Sequence, residues 1–313
     1  MTDQPRLTHE DLRGSSARRR RELMVRSLFL SAAAVSVIIS ALIIVSLVGE
    51  AWNFISQVDP GNLRTDGWFP RRDMFDIGTI VAGTLVVAGV GLIVAIPLGL
   101  GAAIYLAEYA SPRWRGTLKP ILEMLAAVPS VVLGFFALVV ISPTIAQPVC
   151  DAFTGASPIF SMGAAGLAVG ILITPLVASI AEDAMYAVPN SLREAAYGLG
   201  ARKRATSLRV VIPSAVSGIM AAIIVGASRA IGETMIVAMA AGGTGGSLFQ
   251  LNPCQPGQTM TAAITALATG SDRVRGADLA YPSLFFVGIL LFVFTLVLNM
   301  ISERFVRRVR LRY

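Results

Sequence analysis

The sequence predicts an all-α membrane protein with six transmembrane helices. Hydrophobic residues occupy 55% of its 313 positions and charged residues only 14%, whereas about a quarter of the residues in soluble domains are charged. Six segments contain the roughly 20 apolar residues that a helix needs to cross about 30 Å of hydrocarbon. Basic side chains concentrate in every second connection between these segments. We therefore expect one six-helix domain and no soluble enzyme domain.

The predicted spans are separated by polar connections, all of which we expect to be loops. The spans are residues 23–48, 77–107, 118–141, 162–181, 211–241 and 282–301. The first span follows four consecutive arginines, but it is too long for the apolar region of a signal peptide, so we interpret it as a retained helix. Gly91 in the second span and the Gly166/Gly170 pair in the fourth indicate close packing between helices.

The distribution of basic residues predicts the orientation of the chain. Twenty of them lie in the two terminal regions and in the connections after the second and fourth spans, against five in the other connections. The larger group is Arg6, Arg13, Arg18, Arg19, Arg20, Arg21, Arg26, Arg113, Arg115, Lys119, Arg193, Arg202, Lys203, Arg204, Arg209, Arg304, Arg307, Arg308, Arg310 and Arg312. Basic residues stay on the cytoplasmic side, so both termini are expected there. The net charge of +7 therefore requires no nucleic-acid partner.

Missing residue types exclude several kinds of catalytic site. The two lysines, Lys119 and Lys203, do not occur in the Gly-Lys-Ser/Thr pattern with which a P-loop binds ATP. The single histidine, His9, lies in the polar N-terminal tail, so neither a His-based metal site nor a Ser/His/Asp triad can form within the membrane. We expect a chain that is not an enzyme and that holds no metal or cofactor.

Two cysteines, Cys150 and Cys254, are the only ones in the chain, and both fall in predicted extracytoplasmic connections. Disulfides persist in that compartment. A bridge requires the two Cα atoms to lie within about 7 Å, which the sequence does not reveal. A disulfide and two free thiols both stay open at this point.

The connection between the fourth and fifth spans is unusually polar. Residues 190–213 read NSLREAAYGLGARKRATSLRVVIP and carry five basic side chains and one glutamate. Helix-forming residues on both sides of Gly200 predict a short helix, a glycine break and a second helix, and Pro213 suits the first turn of the next span. Ala195 and Ala196 leave room for another surface to approach closely.

Arg229 and Glu233 are the charged residues of the predicted fifth span, where they are four positions apart and would share one helical face. A charge within a membrane is costly unless it is paired or faces water, so such residues are functional candidates. The arginine fork suits phosphate oxygens, and Ser228 and Thr234 could add hydroxyl donors to the same pathway. The alternative is a structural ion pair. Glu123, Glu182 and Asp183 are weaker candidates.

The polar connection resembles the cytoplasmic EAA loop of ABC importer permeases, which is the coupling helix that docks on the ATPase subunit. Glu194, Ala195, Ala196, Gly200 and Pro213 match its pattern, while Val210 and Ile212 replace the commoner Ile and Leu. The resemblance implies a type I permease fold. It also implies that Glu194, Ala195, Ala196 and Gly200 couple the chain to a separate ATPase.

Four further stretches resemble the permeases of phosphate ABC importers, and resemble the PstC type more closely than its partner type. They are residues 95–115, 119–138, 174–195 and 228–242, the last reading SRAIGETMIVAMAAG. The resemblance implies import of phosphate past Arg229 by alternating access. It implies a second homologous permease, two ATPase subunits that bind ATP and Mg²⁺, and an extracytoplasmic phosphate-binding protein, in the cytoplasmic membrane of a bacterium or archaeon.

The expected organisation is a basic cytoplasmic tail at 1–22, a permease domain at 23–303 that includes a coupling hairpin at 182–210, and a second basic tail at 304–313. Two alternatives remain at this level. The cargo could be another oxyanion, such as phosphonate, molybdate or sulfate. An ion-coupled secondary anion transporter could also use Arg229 and Glu233, but it would need no ATPase at the hairpin.

Overall fold

A computed structural model describes residues 16–155, 158–243, 245–269 and 279–310, with side chains described from residue 20 to residue 304 within those ranges. Contacts divide the chain into two units, residues 1–49 and 50–313. The expected basic tails lie partly outside the described residues, at 1–15 and 311–313.

Helices dominate the described residues. They are α1 (Ser16–Gln57), α2 (Ile77–Ile104), α3 (Pro112–Ala126), α4 (Ser130–Phe136), α5 (Gln147–Thr154), α6 (Met162–Tyr186), α7 (Asn190–Gly198), α8 (Lys203–Thr206), α9 (Ile212–Ile231), α10 (Met235–Ala240), α11 (Met260–Thr269) and α12 (Ala280–Arg310). Wider π-helical turns at Tyr105–Tyr109, Ala137–Ala146 and Ser207–Val211 continue α2, α4 and α8.

Six helices among the described residues are long and apolar enough to cross a membrane, which confirms the predicted fold class. They are Arg20–Gln57, Ile77–Tyr109, Ser130–Thr154, Met162–Tyr186, Lys203–Ile231 and Ala280–Arg304, and we number them as spans one to six. We distinguish two ends of unit 50–313. The end that carries α7 and α8 is called the hairpin end, and the end that carries Cys150 and Cys254 is called the disulfide end.

The predicted third span, 118–141, was placed wrongly. The structure has the separate helix α3 at Pro112–Ala126, and the span itself runs over Ser130–Thr154. The helix is interrupted before Pro129, whose ring disfavours helical geometry at the preceding residue. Glu123 therefore lies in α3, where it is exposed, and not within a span.

The connections between spans were wrongly predicted to be all loop. Helices α3, α7, α10 and α11 lie between spans, α8 forms the first turn of span five, and the disulfide end carries a small sheet of β1 (Gly67–Phe69), β2 (Met74–Phe75) and β3 (Ser247–Leu248). The central strand β1 pairs with both neighbours in antiparallel register. Trp68 and Phe75 on these strands are fully buried and pack edge to face with a centroid distance of 5.8 Å. This aromatic cluster anchors the loop after α1 to the bundle residues Ile80 and Met260.

Spans two and four form the centre of unit 50–313. A Cβ at Gly170 would lie 2.8 Å from the carbonyl oxygen of Gly91, and one at Gly166 would lie 2.6 Å from Cβ of Val90. The two backbones approach so closely that only glycine fits at these positions. The predicted small-residue packing is confirmed for these glycines, and a buried core of Val87, Val169 and their neighbours surrounds the contact.

Candidate functional site

The predicted coupling hairpin presents an open surface at the hairpin end. Helix α7 buries none of its residues, and Glu194 and Ala195 are exposed while Ala196 is half-buried. Leu199, directly after the helix, is 90% exposed. The surface thus combines a carboxylate, small side chains and a protruding apolar residue, which suits docking against another protein.

The turn that closes α7 depends on Gly200. Its φ angle is +79°, in the left-handed region that favours glycine. The Gly200 amide donates to the carbonyl of Tyr197 at 2.9 Å, and the Ala201 amide donates to the carbonyl of Ala196 at 3.0 Å. These bonds satisfy the last carbonyls of the helix and turn the chain toward α8.

Arg193 fastens the hairpin to the bundle, a role that sequence reasoning missed. Its guanidinium donates to Oε1 of Glu108 from Nη2 at 2.9 Å and from Nε at 3.2 Å. It also donates to the carbonyls of Met185 at 2.8 Å and Val188 at 2.5 Å. The available signal was a glutamate at the end of the second span on the same predicted side as the basic hairpin.

A second ionic cluster holds α3 against the end of span four. Glu182 is fully buried, and its two oxygens contact Arg115 (Nη2 at 2.5 Å) and Lys119 (Nζ at 2.7 Å). Lys119 also pairs with Asp183, and the Arg115 guanidinium stacks over the Tyr186 ring at 3.5 Å. The weaker candidates Glu182 and Asp183 are thus placed in a paired cluster at the hairpin end.

The ammonium of Lys119 stays charged in this cluster. Partial burial lowers its pKa, but hydrogen bonds to Asp183 and Glu182 and the charges of both carboxylates raise it, so the pKa lies above its usual value of 10.5. A raised lysine pKa stabilises the folded state fully below the unfolded value, and this stabilisation is lost as the pH rises through the folded value. The contacts of Lys119 are therefore insensitive to pH in the physiological range.

The fifth span does not continue through Glu233 as the sequence predicted. Helix α9 ends at Ile231 with Gly232 as its cap, and α10 begins only at Met235. Glu233 is buried in this break, with 6% of its surface exposed. Its Oε1 accepts the amides of Met235 at 3.2 Å and Ile236 at 3.4 Å, so it caps the start of α10.

Arg229 lies on the last turn of α9, two residues before the break, and is exposed. Within the described part of the chain it makes no ion pair, so the structure does not join it to Glu233. Ser228 is half-buried and donates to Oδ1 of Asn299 in span six at 2.8 Å. Thr234 donates to the carbonyl of Gly232 at 3.2 Å within the break.

Threonines that the sequence did not single out hold the break in place. The Thr261 hydroxyl donates to the backbone carbonyl of Glu233 at 2.7 Å and lies 3.0 Å from the Thr259 hydroxyl. Thr259 in turn caps α11 by accepting the amide of Ala262, and the Met260 amide donates to Thr84 of α2. The start of α11 therefore positions the Glu233 backbone relative to the second span.

The disulfide end is cross-linked. Cys150 of α5 and Cys254, in the loop between α10 and α11, form a disulfide with their Cα atoms 5.4 Å apart. The same loop binds the start of α6, where the Gly163 amide donates to the carbonyl of Pro253 at 2.7 Å. No group of three or more His, Cys, Asp or Glu side chains is arranged to hold a metal ion in the described ranges.

Comparison with known proteins identifies relatives over most of the chain. The family model for binding-protein-dependent transport system inner membrane components matches residues 95–311. The phosphate transport system permease protein PstC of Haemophilus influenzae is 32% identical over 289 residues, covering 87% of this chain and 89% of the relative. The protein of the same name from Mesorhizobium japonicum is 30% identical, covering 86% and 84% respectively.

Solved structures support the same fold. A permease chain from a bacterial ABC transporter involved in the import of the acidic polysaccharide alginate superposes with a TM-score of 0.62 at 16% identity, covering 93% of this chain and 99% of that one. The residues that the family model matches contain the end of span two, the hairpin, the break after span five and the whole of spans three to six. This chain therefore belongs to the family of binding-protein-dependent transport system inner membrane components, the permease subunits of ABC importers.

Proposed function

We propose that the chain is a permease subunit of an ATP-driven importer of inorganic phosphate. The observation that carries the proposal is the similarity, at about 30% identity over most of both chains, to several phosphate transport system permease proteins. The working complex contains a second homologous permease, two ATPase subunits that bind ATP and Mg²⁺, and an extracytoplasmic phosphate-binding protein. This chain contributes the membrane path and catalyses no covalent step.

The hairpin is the element through which the ATPase acts. Glu194, Ala195, Ala196 and Gly200 lie on or directly after a helix that is exposed and closed by a tight turn, as a docking element requires. The concentration of basic residues in the hairpin and in both terminal regions supports a cytoplasmic position for all three. ATP binding then closes the ATPase pair and moves α7 relative to the membrane.

Arg229 is the phosphate-recognising residue in this proposal. Its guanidinium is exposed on a helix that crosses the membrane, where an uncompensated charge is unfavourable. Since no carboxylate of the described residues pairs with it, its donors are free for an anion in a water-filled path. Glu233 contributes by capping α10 and so fixing the break, while Ser228 and Thr234 supply hydroxyls beside it.

Reconstitution of the whole transporter in liposomes tests the function. We expect uptake of radiolabelled phosphate. It should require ATP on the side of the membrane that carries the ATPase subunits and the binding protein on the opposite side. Arsenate should compete because, like phosphate, it is a tetrahedral oxyanion that keeps at least one proton at neutral pH, whereas sulfate and molybdate, which are tetrahedral but fully deprotonated, should not. Uptake driven by an ion gradient without ATP would contradict the proposal, and preferential uptake of molybdate or sulfate would assign another cargo.

A further inference from the structure

The carboxylate of Glu108 lies where three membrane spans meet the hairpin. Glu108 belongs to the last turn of span two, and its side chain is only 3% exposed. Oε1 accepts two bonds from Arg193, and the Ser207 hydroxyl lies 3.3 Å from Oε2 and 3.0 Å from the carbonyl oxygen of Lys203, between which it shares its one hydrogen. Ser207 is itself buried and lies in the first turns of span five.

Arg193 extends this junction to span four. Its Nη2 atom donates to the carbonyl of Met185 in the last turn of span four, and its Nη1 atom donates to the carbonyl of Val188, two residues after that span. The Met185 carbonyl also accepts the Val188 amide at 3.3 Å, so the arginine adds a second, charged donor at the end of the helix. The Arg193 guanidinium therefore connects α7 to the ends of spans two and four, and the Glu108 carboxylate contacts Ser207 of span five.

Helix α7 has few other attachments. It buries none of its nine residues, so packing of apolar side chains contributes little to its position. The Arg193 side chain is 14% exposed and makes charge-assisted bonds, which are shorter and stronger than neutral ones. Separating Arg193 from Glu108 would leave the buried Glu108 carboxylate without its charged partner, which is strongly unfavourable. The junction is therefore the main side-chain fastening of α7 among the described residues.

We propose that Glu108, Arg193 and Ser207 form a transmission joint that makes the hairpin move together with spans two, four and five. Arg193 and Glu108 are positioning residues in this role, since neither is placed on the docking surface or beside Arg229. Force applied to α7 reaches span five, which carries Arg229, through the carboxylate of Glu108. The inference rests on the proposed function for its ATP-driven motion, but the joint itself does not depend on the cargo.

The test compares Arg193→Gln, Glu108→Gln, the double variant and the control Arg113→Gln in the complete reconstituted transporter. Arg113 is an exposed arginine of α3 at the same end of the bundle. We expect both single variants to retain ATP hydrolysis but to transport about tenfold less cargo per ATP. The double variant should be no worse than the more severe single variant, because both changes remove the same contact. Arg193→Lys should recover only part of the loss, since an ammonium lacks the fork.

Hydrogen exchange of the peptide that contains α7 gives a readout independent of the cargo. Glu108→Gln lies outside that helix, yet we expect it to accelerate exchange in α7 by about tenfold, while Arg113→Gln leaves exchange unchanged. Unchanged hydrogen exchange in α7 would overturn the proposed joint. A fall of ATP hydrolysis, transport and complex yield in the same proportion would also overturn it, because that result indicates a purely structural role. If phosphate is not the cargo, wild-type uptake fails while the exchange difference persists.

Discussion

Arg229, an exposed arginine in the last turn of the helix of span five, is the residue on which the proposed phosphate path depends. Arg229 has no carboxylate partner in the described residues, and Glu233, four residues later in the chain, uses its Oε1 atom to cap α10. The structural ion pair that the sequence left open is therefore not formed in this structure. Because the guanidinium still requires water or an anion at that depth, a role in the phosphate path is the proposal that best explains its placement.

Substitution of Arg229 tests that role. We expect Arg229→Gln to reduce phosphate uptake by about ten- to hundredfold, the effect of losing one or two charged hydrogen bonds, without changing assembly with the ATPase. Arg229→Lys should also be impaired, because a point charge cannot bind two oxygens in parallel. Uptake at constant transporter yield is the measurement. The double change Arg229→Gln with Glu233→Gln should stay inactive, and restored uptake in that variant would remove Arg229 from the substrate path.

The hairpin element illustrates how backbone geometry prepares a docking surface. Gly200 closes α7 at a positive φ angle, and two backbone bonds there satisfy the end of the helix. Leu199, next to this turn, and Glu194 on α7 are both exposed. Gly198, two residues earlier, belongs to the helix itself, has an ordinary φ angle, and a Cβ there would meet no atom within 4 Å. The two glycines therefore form a matched pair.

We predict that Gly200→Ala weakens coupling and Gly198→Ala does not. A side chain at the positive φ angle costs about 1–2 kcal/mol, whereas alanine within a helix is favourable by roughly 0.5–1 kcal/mol relative to glycine. ATP-driven uptake should therefore fall several-fold in Gly200→Ala and stay normal in Gly198→Ala, at equal membrane levels. Equal uptake by the two variants would show that coupling to the ATPase does not depend on the Gly200 turn.

On the scale of the whole molecule, the disulfide end of unit 50–313 is held by covalent and backbone bonds. The bridge joins α5 to the loop before α11, whose backbone binds the start of α6 through Met162 and Gly163 and the end of α10 through Ala241. Spans three and four and the short helix after the Arg229 region are thereby tied together. We therefore expect the disulfide end to move less than the hairpin end when the hairpin moves.

Removal of the bridge should cost stability. Native disulfides typically contribute about 2–4 kcal/mol, and this one closes a loop with a sequence separation of 104. We expect the double variant Cys150→Ser with Cys254→Ser to unfold several degrees below the wild-type protein in detergent, and reductant to lower the Tm of the wild-type protein only. Thiol labelling without reductant should modify neither cysteine. Complete labelling in fresh membranes, or an unchanged Tm, would contradict the prediction.

Local patterns in the sequence were sufficient for the membrane class, the number of spans and the glycine turn. Hydropathy and helix length determine where a chain can cross a membrane, and Gly200 is required by its own backbone angle. The interruptions of the helices before Pro129 and at Gly232 were missed because they are short and apolar segments lie on both sides of each. A hydropathy pattern detects spans and does not detect where hydrogen bonding within them stops.

Only the tertiary structure decided which distant side chains meet. Glu108 and Arg193 are 85 residues apart, and Glu182 and Arg115 are 67 apart, so no local periodicity relates them. The sequence likewise offered Glu233 as a partner for Arg229 on the assumption of a continuous helix, and the break redirected that carboxylate to the amides of Met235 and Ile236. Partner choice depends on how spans pack and where backbone groups lack partners, and both are properties of the folded chain.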